Sequence, residues 1–112
     1  MPTFYGNGQP FAVTATHATA AVATKDAITN GTHYITDISA SSDKAGALLL
    51  VKQGTTVIWR SQVATTAAGN NSYEHTFATP LRAVTGALVS CEIDGTSVCH
   101  ANIAGFTINS AA

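Results

Sequence analysis

The 112-residue chain carries five basic and six acidic residues, so that only 10% of it is charged and its formal net charge is −1. A chain of this length suits one domain with one core, and its charge balance argues against the basic surface that nucleic-acid binding requires. No run approaches the ~18 apolar residues of a membrane-spanning helix. Residues 1–11 lack the basic start and apolar stretch of a signal peptide. We therefore expect a single domain over residues 1–112, made in a cytoplasm, that binds neither nucleic acid nor membrane.

The first ten residues, MPTFYGNGQP, combine two aromatic residues with glycine and proline. Glycine and proline at this density prevent a regular helix and disfavour a strand. The segment is therefore either a frayed terminus or an extended arm. We take residues 1–10 as an arm whose aromatic side chains, Phe4 and Tyr5, anchor on a binding partner.

Two segments then show the alternation of β-strands. Residues 11–25 alternate threonine with small apolar residues and carry no helical stripe, which predicts one long strand or two strands with a break near Thr19. Asn30 and Gly31 form a turn signal. Residues 33–41 alternate again, and four of their side chains are expected on one face. These are Tyr34, Thr36, Ile38 and Ala40.

Residues 45–62, AGALLLVKQGTTVIWRSQ, predict a β-hairpin, because two short apolar runs flank a glycine-containing turn. A two-residue loop at Gln53 and Gly54 gives one set of cross-strand partners, and a three-residue loop would change all of them. The two-residue loop places four apolar side chains on one face, which we assign to the core. They are Leu48, Leu50, Val57 and Trp59.

The opposite face of this predicted hairpin is also apolar, although a solvated antiparallel hairpin normally has one polar side. It carries Leu49, Val51 and Ile58, which we predict to contact a partner. The partner is a second protomer or another protein, and the alternative is a second internal layer. The hairpin is thus the strongest functional clue in the sequence.

The rest of the chain predicts further short strands and no helix. Residues 64–72 are predicted to form a loop. Residues 73–77 alternate as a strand, with Tyr73, His75 and Phe77 on one face. Pro80 ends that strand or places it at a sheet edge. Residues 87–93 and 97–108 follow, separated by a turn and with a break in the second at Gly105. Seven or eight short strands predict an all-β, single antiparallel β-sandwich of the jelly-roll type.

Cys91 and Cys99 flank the turn at Asp94 and Gly95 symmetrically. A three-residue loop would place the two thiols directly opposite each other, and a two-residue loop would place Cys91 opposite Val98. A cross-strand disulfide has demanding geometry. We favour two reduced thiols that pack as small apolar side chains, as expected for a cytoplasmic protein.

No motif in the chain predicts catalysis. The four histidines lack the close spacing of a zinc site and the cysteines lack a CxxC pair. There is no GxSxG, phosphate-binding loop, dinucleotide glycine pattern or carboxylate pair. We therefore predict a protein that is not an enzyme and has no cofactor or metal. Trp59, Tyr73 and Tyr34 could form a platform for sugar rings, although a tryptophan among leucines is more often part of a core.

The order of these features resembles small structural proteins of tailed-bacteriophage virions. The strand HYITDISAS is followed by the hairpin LLLVKQGTTVIWRSQV, the aromatic segment SYEHTFATPLRAVTGALVSCEID and the closing strand ANIAGFTI, which together cover residues 33–108. Proteins of this kind are short β-sandwiches that decorate the capsid or form the base of a head fibre or spike. The resemblance implies the following core: Ile35, Ile38, Leu48, Leu50, Val57, Trp59, Phe77, Leu81, Val89, Ile93 and Phe106.

The resemblance also implies a function. The chain would be a non-enzymatic protein of the capsid exterior that binds the major capsid protein, as a symmetric homo-oligomer such as a dimer or trimer. The alternative is a head-fibre or tail-associated adhesion module whose loops, such as residues 64–72, bind a host-surface glycan. A small hydrolase is the third hypothesis, and no residue supports it.

Overall fold

The computed structural model of the chain describes residues 8–62 and 71–109. Within these residues the chain forms eight strands and no helix, as β-branched and small residues in alternation predict. The strands are β1 (Gly8–His17), β2 (Ala20–Lys25), β3 (Gly31–Ser42), β4 (Leu48–Gln53), β5 (Thr56–Gln62), β6 (Asn71–Arg82), β7 (Val89–Asp94) and β8 (Cys99–Asn109). The described residues thus include no helix that could cross a membrane.

The strands form two four-stranded antiparallel sheets that pack face to face. The first sheet has the order β1-β8-β3-β6, and the second has the order β2-β7-β4-β5. Successive strands mostly pass from one sheet to the other, which is the connectivity of an eight-stranded jelly roll. The predicted all-β sandwich is confirmed, and so is the break near Thr19, because β1 ends at His17 and β2 begins at Ala20.

Side chains from the inner faces of both sheets form one core. The largest fully buried apolar residues come from β3 and β8 of the first sheet and from β4 and β7 of the second. Alternation along each strand brings every second residue into this layer. These buried residues include Ile35, Leu49, Val51, Val89, Cys91, Ile93 and Ile103.

A bulge at Thr36 changes which residues of β3 face the core. Ile35 and Asp37 pair with consecutive residues of β8, so Thr36 is an extra residue in the ladder. Ile35 is buried before the bulge and Ile38 is buried after it, three positions further on. The predicted common face of residues 34, 36, 38 and 40 is therefore wrong, because Tyr34 points away from the core and Ile38 points into it.

The β4–β5 hairpin has its loop one residue later than predicted. Gln53 pairs with Thr56, so the two loop residues are Gly54 and Thr55. Gly54 has a φ of 57°, which a glycine adopts without a steric penalty at the first position of a two-residue hairpin loop. Gln53 and Gly54 together are therefore not the loop.

The inner and outer faces of β4 are the reverse of those predicted, whereas Trp59 on β5 packs against the core as predicted. Leu49 and Val51 are 0% exposed, whereas Leu48 is 46% exposed. Ile58 also packs against the core, because a bulge in β5 places it beside Trp59 on the inner side. The assignment of Leu49 and Val51 to a partner contact is therefore wrong, and that of the half-buried Ile58 stays a prediction. Both faces are apolar, so alternation alone could not identify the inner one.

The segment after Asp94 crosses from the second sheet to the first and is not a hairpin. Cys91 on β7 and Cys99 on β8 consequently lie in different sheets, and neither predicted cross-strand pairing of the two cysteines exists. Both thiols are buried and free. Burial raises the pKa of the Cys91 thiol to about 12 and also raises the pKa of Cys99. These are unreactive, protonated thiols that pack as apolar side chains.

The prediction of an arm over residues 1–10 is wrong for its last three residues. Gly8, Gln9 and Pro10 belong to β1 and pair with β8. Phe4 and Tyr5, the predicted anchors, lie outside the described residues, and so does most of the predicted loop at residues 64–72. Their roles in partner or glycan binding stay predictions.

Candidate interaction face on the second sheet

Four apolar side chains lie on the outer face of the second sheet, contributed by β2, β4 and β5. Val22 is 45% exposed and Leu48 is 46% exposed, while Leu50 and Val57 are half-buried. Val22 and Leu50 lie on either side of Glu92 in neighbouring strands, so the four residues form one surface across the sheet. We call Val22, Leu48, Leu50 and Val57 the outer patch.

Two ion pairs accompany the outer patch. Lys52 Nζ lies 2.7 Å from Glu92 Oε1, and Lys44 Nζ lies 2.6 Å from Asp94 Oδ2. Both carboxylates belong to β7, which runs between the patch residues of β2 and β4. The lysines therefore neutralise the acidic groups beside the patch, which lowers the electrostatic cost of covering it with another protein.

Asp94 also fixes the start of β4. Its Oδ1 accepts a hydrogen bond from the backbone N–H of Leu48 at 3.0 Å. Burial raises the pKa of Asp94, but the bonds from Lys44 and from the Leu48 N–H outweigh this effect and leave the pKa below its usual value. The ionised carboxylate thus holds the most exposed residue of the outer patch in position.

Side-chain bonds to backbone groups also secure both ends of the hairpin that carries the patch. Gln62 Nε2 donates to the carbonyl of Gly46 at 3.0 Å. At the other end, Gln53 Oε1 accepts from the N–H of Val84 at 2.9 Å. A face fixed in this way loses little conformational freedom when a partner binds it.

The outer face of the first sheet carries a groove of about 350 Å³, lined by polar side chains such as Asp37 and Asn102 together with small and apolar ones such as Ala12. Asp37 accepts hydrogen bonds from the hydroxyls of Thr36 and Thr76, both at 2.8 Å. Asn102 donates to the hydroxyl of Ser39 at 2.9 Å. These bonds between polar neighbours are typical of a solvated sheet face.

Of the three aromatic residues predicted as a sugar platform, Trp59 and Tyr73 come together and Tyr34 does not. Trp59 lies at the edge between the two sheets, 6.1 Å from Tyr73, 5.1 Å from His75 and 5.5 Å from Phe77 between ring centroids. Tyr34 instead stacks on another ring on the outer face of the first sheet. The half-buried Trp59 is therefore part of an aromatic cluster that covers one edge of the core.

The histidines have separate structural environments. His33 is 0% exposed, and its Nδ1 lies 2.7 Å from the Thr107 hydroxyl while its Nε2 lies 2.8 Å from the Asp26 carbonyl. His17 accepts bonds from nearby backbone N–H groups. Residues 8–62 and 71–109 contain no group of three or more metal-ligating side chains.

The outer patch was not predicted as a surface from the sequence. Leu48, Leu50 and Val57 were expected in the core, and Val22 was not singled out. The surplus of apolar residues in the hairpin is visible in the sequence. On β4, however, the outward residues are the exposed Leu48 and the half-buried Leu50, and Leu49 and Val51 are buried. Phe106, another expected core residue, is half-buried and stacks on Tyr34.

Comparisons with known proteins find only distant structural likeness. No protein-family model and no curated protein matches the chain. The insecticidal delta-endotoxin Cry8Ea1 of Bacillus thuringiensis is 12% identical with a TM-score of 0.44 over 91% of this chain and 20% of its own. CsCBM6-3 of Clostridium stercorarium, solved with cellobiose, is 17% identical with a TM-score of 0.38. That match covers 95% of this chain and 83% of the CsCBM6-3 chain. The chain spans about a fifth of the toxin chain, and both scores are too low to support a functional argument.

Proposed function

We propose that this protein is a non-enzymatic virion protein that binds the major capsid protein and decorates or cements the head of a tailed bacteriophage. In this proposal it is made in the host cytoplasm and resides on the capsid exterior. The observation that carries the proposal is the outer patch, an apolar surface on a rigid sheet. The sequence resemblance over residues 33–108 supplies the identity of the partner.

The fold is compatible with this proposal but does not select it. Jelly rolls occur in viral capsid proteins, lectins and cupins, and unrelated functions share the same fold. The outer patch is more specific, because exposed apolar side chains grouped on one sheet face commonly mark a protein contact. Full burial of a valine or leucine side chain contributes roughly 1.5–3 kcal/mol, so even partial coverage of the patch favours association.

Repeated copies on a shell would strengthen this effect. A protein that binds only the assembled shell stabilises it by mass action. Several linked copies add avidity, because after the first contact the others form at a high effective concentration. Decoration therefore needs only a modest affinity at each outer patch.

The decisive experiment is co-sedimentation of the purified chain with heads that lack it, comparing Leu48→Lys with Val84→Lys. Both substitutions place a charge on an exposed apolar residue, since Leu48 is 46% and Val84 is 57% exposed, but only Leu48 belongs to the outer patch. We expect Leu48→Lys to weaken binding about ten-fold or more, equivalent to roughly 1.4 kcal/mol. Val84→Lys should bind as the unmodified chain does.

The proposal fails if the unmodified chain does not sediment with such heads. Equal binding by both variants would move the contact away from the outer patch. Heads carrying the protein should also survive heating or low salt better than heads without it.

A glycan-binding adhesion module is the second candidate, favoured by the groove on the first sheet. Hydroxyl, amide and carboxylate groups such as those of Ser39, Asn102 and Glu74 can hydrogen-bond sugar hydroxyls. Binding of the chain to a glycan array, lost in an Asn102→Ala variant and retained in Leu48→Lys, would support this candidate over capsid decoration. A Trp59→Ala variant that folds but loses glycan binding would instead place the site at the aromatic cluster.

A further inference from the structure

The free edge of β1 differs from the other three sheet edges. β1 is a ten-residue strand that pairs with β8 in continuous register from Gly8 to His17, without a bulge. It contains no Asp, Glu, Lys or Arg. No strand within residues 8–62 and 71–109 pairs with its outer side. A long, regular and uncharged edge is a template for another strand.

The other edges each carry a feature that discourages pairing. β6 has Pro80, charged residues and a break in its register between Thr76 and Leu81. β5 has a bulge and Arg60. β2 has only six residues and ends in Lys25. Bulges, prolines, charges and short length are the usual protections of sheet edges, and β1 has only Pro10.

The backbone groups that face this free edge follow from the ladder. The N–H of Asp43 donates to the carbonyl of Val98 at 3.2 Å, next to the pair formed by Ser42 and Cys99. Because bonded pairs alternate along an antiparallel ladder, even-numbered residues of β8 bond to β3 and odd-numbered residues bond to β1. The even-numbered residues of β1 therefore direct their backbone groups outwards. They are Gly8, Pro10, Ala12, Thr14 and Thr16.

The position of Pro10 agrees with this assignment, because a proline without an N–H fits at a position that donates nothing to β8. Within the described chain, Ala12, Thr14 and Thr16 each retain an outward N–H and C=O without a strand partner. Their side chains are small and exposed on the outer face of the first sheet. Neither bulk nor charge on these side chains obstructs an approaching strand.

We propose that β1 pairs with β1 of a second copy of this chain, antiparallel about a two-fold axis, so that two first sheets form one eight-stranded sheet. A two-fold contact places the residue on the axis opposite its own copy and brings its neighbours close to theirs, so a charge there would lie near the same charge. β1 meets this condition, because a register centred on Thr14 places threonine opposite threonine and Val13 opposite Ala15. Threonine pairs are favourable across antiparallel strands.

This dimer goes beyond the proposed function and uses a different surface. The outer patch lies on the second sheet, whereas the β1 edge extends the first sheet. The dimer would therefore present two outer patches at once. Its test requires only the purified chain, so failure of capsid binding and failure of dimer formation are separate results.

The experiment is sedimentation equilibrium of the full chain over a concentration series, comparing Thr14→Pro with Thr14→Val. Thr14→Pro removes one outward N–H and leaves the bonds to β8 intact, whereas Thr14→Val keeps that N–H and suits a strand. We expect the unmodified chain and Thr14→Val to approach twice the chain mass of 11.4 kDa, and Thr14→Pro to remain at the single mass. Circular dichroism checks that each variant is folded.

Thr14→Lys is the second variant if Thr14→Pro does not fold, because an exposed lysine on the edge blocks pairing without changing the backbone. It should also be monomeric. In hydrogen exchange, the amides of Ala12, Thr14 and Thr16 should become protected as the concentration of the unmodified chain rises. A monomeric or trimeric unmodified chain would overturn the proposal. A dimer that persists in Thr14→Pro or Thr14→Lys would also overturn it, even if that dimer dissociates in Leu48→Lys. The same holds if β1 pairs only with a strand of the capsid protein.

Discussion

The two sheets of the sandwich share one core but have contrasting outer faces. On the first sheet, outward side chains such as Asp37, Ser39 and Asn102 form hydrogen bonds with polar neighbours. On the second sheet, Leu48 and Val22 stand exposed beside two ion pairs. Both sheets alternate in the same way, so the difference lies in the chemistry of the outward residues.

The contrast between the two faces lies in where apolar side chains point outward. A solvated antiparallel sheet normally alternates apolar inward and polar outward residues. The first sheet follows that rule around Asp37 and Asn102 but not at its other end, where Tyr34, Phe106 and Ile108 lie outward. The second sheet departs from it at the outer patch. Because the departing residues lie on three strands of one face, the proposed function assigns this departure to contact with another protein.

The largest expected effect comes from truncating adjacent leucines of β4. Leu49→Ala should lower the free energy of unfolding by about 2–5 kcal/mol, because it leaves a cavity in the core. Leu48→Ala should change it by less than about 1 kcal/mol, because Leu48 is 46% exposed. Urea denaturation followed by tryptophan fluorescence measures both values. Equal losses would mean that β4 does not separate a core face from an outer face.

A second substitution breaks the first sheet and leaves the second intact. A Cβ on Gly105 would overlap the backbone carbonyl oxygen of Tyr34, so Gly105→Ala must displace the backbone near the Thr36 bulge. We expect a loss of about 1–3 kcal/mol or more, measured by thermal denaturation. Gly54→Ala is the control, because nothing lies near its Cβ position and only the φ of 57° opposes the change. A Gly105→Ala variant as stable as the unmodified chain would contradict this close approach.

The alternating pattern was enough to predict the strands and the fold class. Residues 73–77 and 89–93 have the predicted inward side chains, since the half-buried Phe77 and the buried Cys91 lie on the expected faces. These strands are regular over those residues, and one of their two faces is clearly more apolar. Local alternation therefore sufficed there.

Other features depended on long-range pairing that no local pattern encodes. The bulge at Thr36 changes the inward residues of β3 from odd-numbered to even-numbered positions. Gly105 on β8 permits the bulge, because it has no Cβ to meet the backbone of Tyr34. In β4 both faces are apolar, so the inner one is determined by packing against β7 and β3 rather than by composition. The outer patch was missed for this reason, although the surplus of apolar residues was visible.

Acid should weaken the charged support of the outer patch. The pKa of Asp94 lies below its usual value of 3.8, so its carboxylate stabilises the folded state fully above that value, and this contribution disappears as the pH falls below it. Asp94→Asn should therefore be less stable by about 1 kcal/mol or less at pH 7, because the pair with Lys44 is more than a third exposed. Urea denaturation at a series of pH values should show this difference shrinking below the ordinary pKa. If the stability difference between Asp94→Asn and the unmodified chain stays constant with pH, the ionised carboxylate is not its source. The stability loss in Lys44→Met should also shrink as the pH falls.

The smallest expected effect concerns the ion pair between Lys52 and Glu92. Its side chains are 26% and 28% exposed, against 48% and 39% for Lys44 and Asp94. A double-mutant cycle with Lys52→Met and Glu92→Gln should therefore give a coupling of about 0.2–1 kcal/mol, and the Lys44–Asp94 cycle should give less. Both couplings should fall as salt is added.

The couplings should rise when the outer patch is covered by its partner, because removal of water strengthens a charge pair whose geometry is retained. A rise on binding to heads would place the pair within the interface, whereas an unchanged value would place it at the solvent-exposed rim.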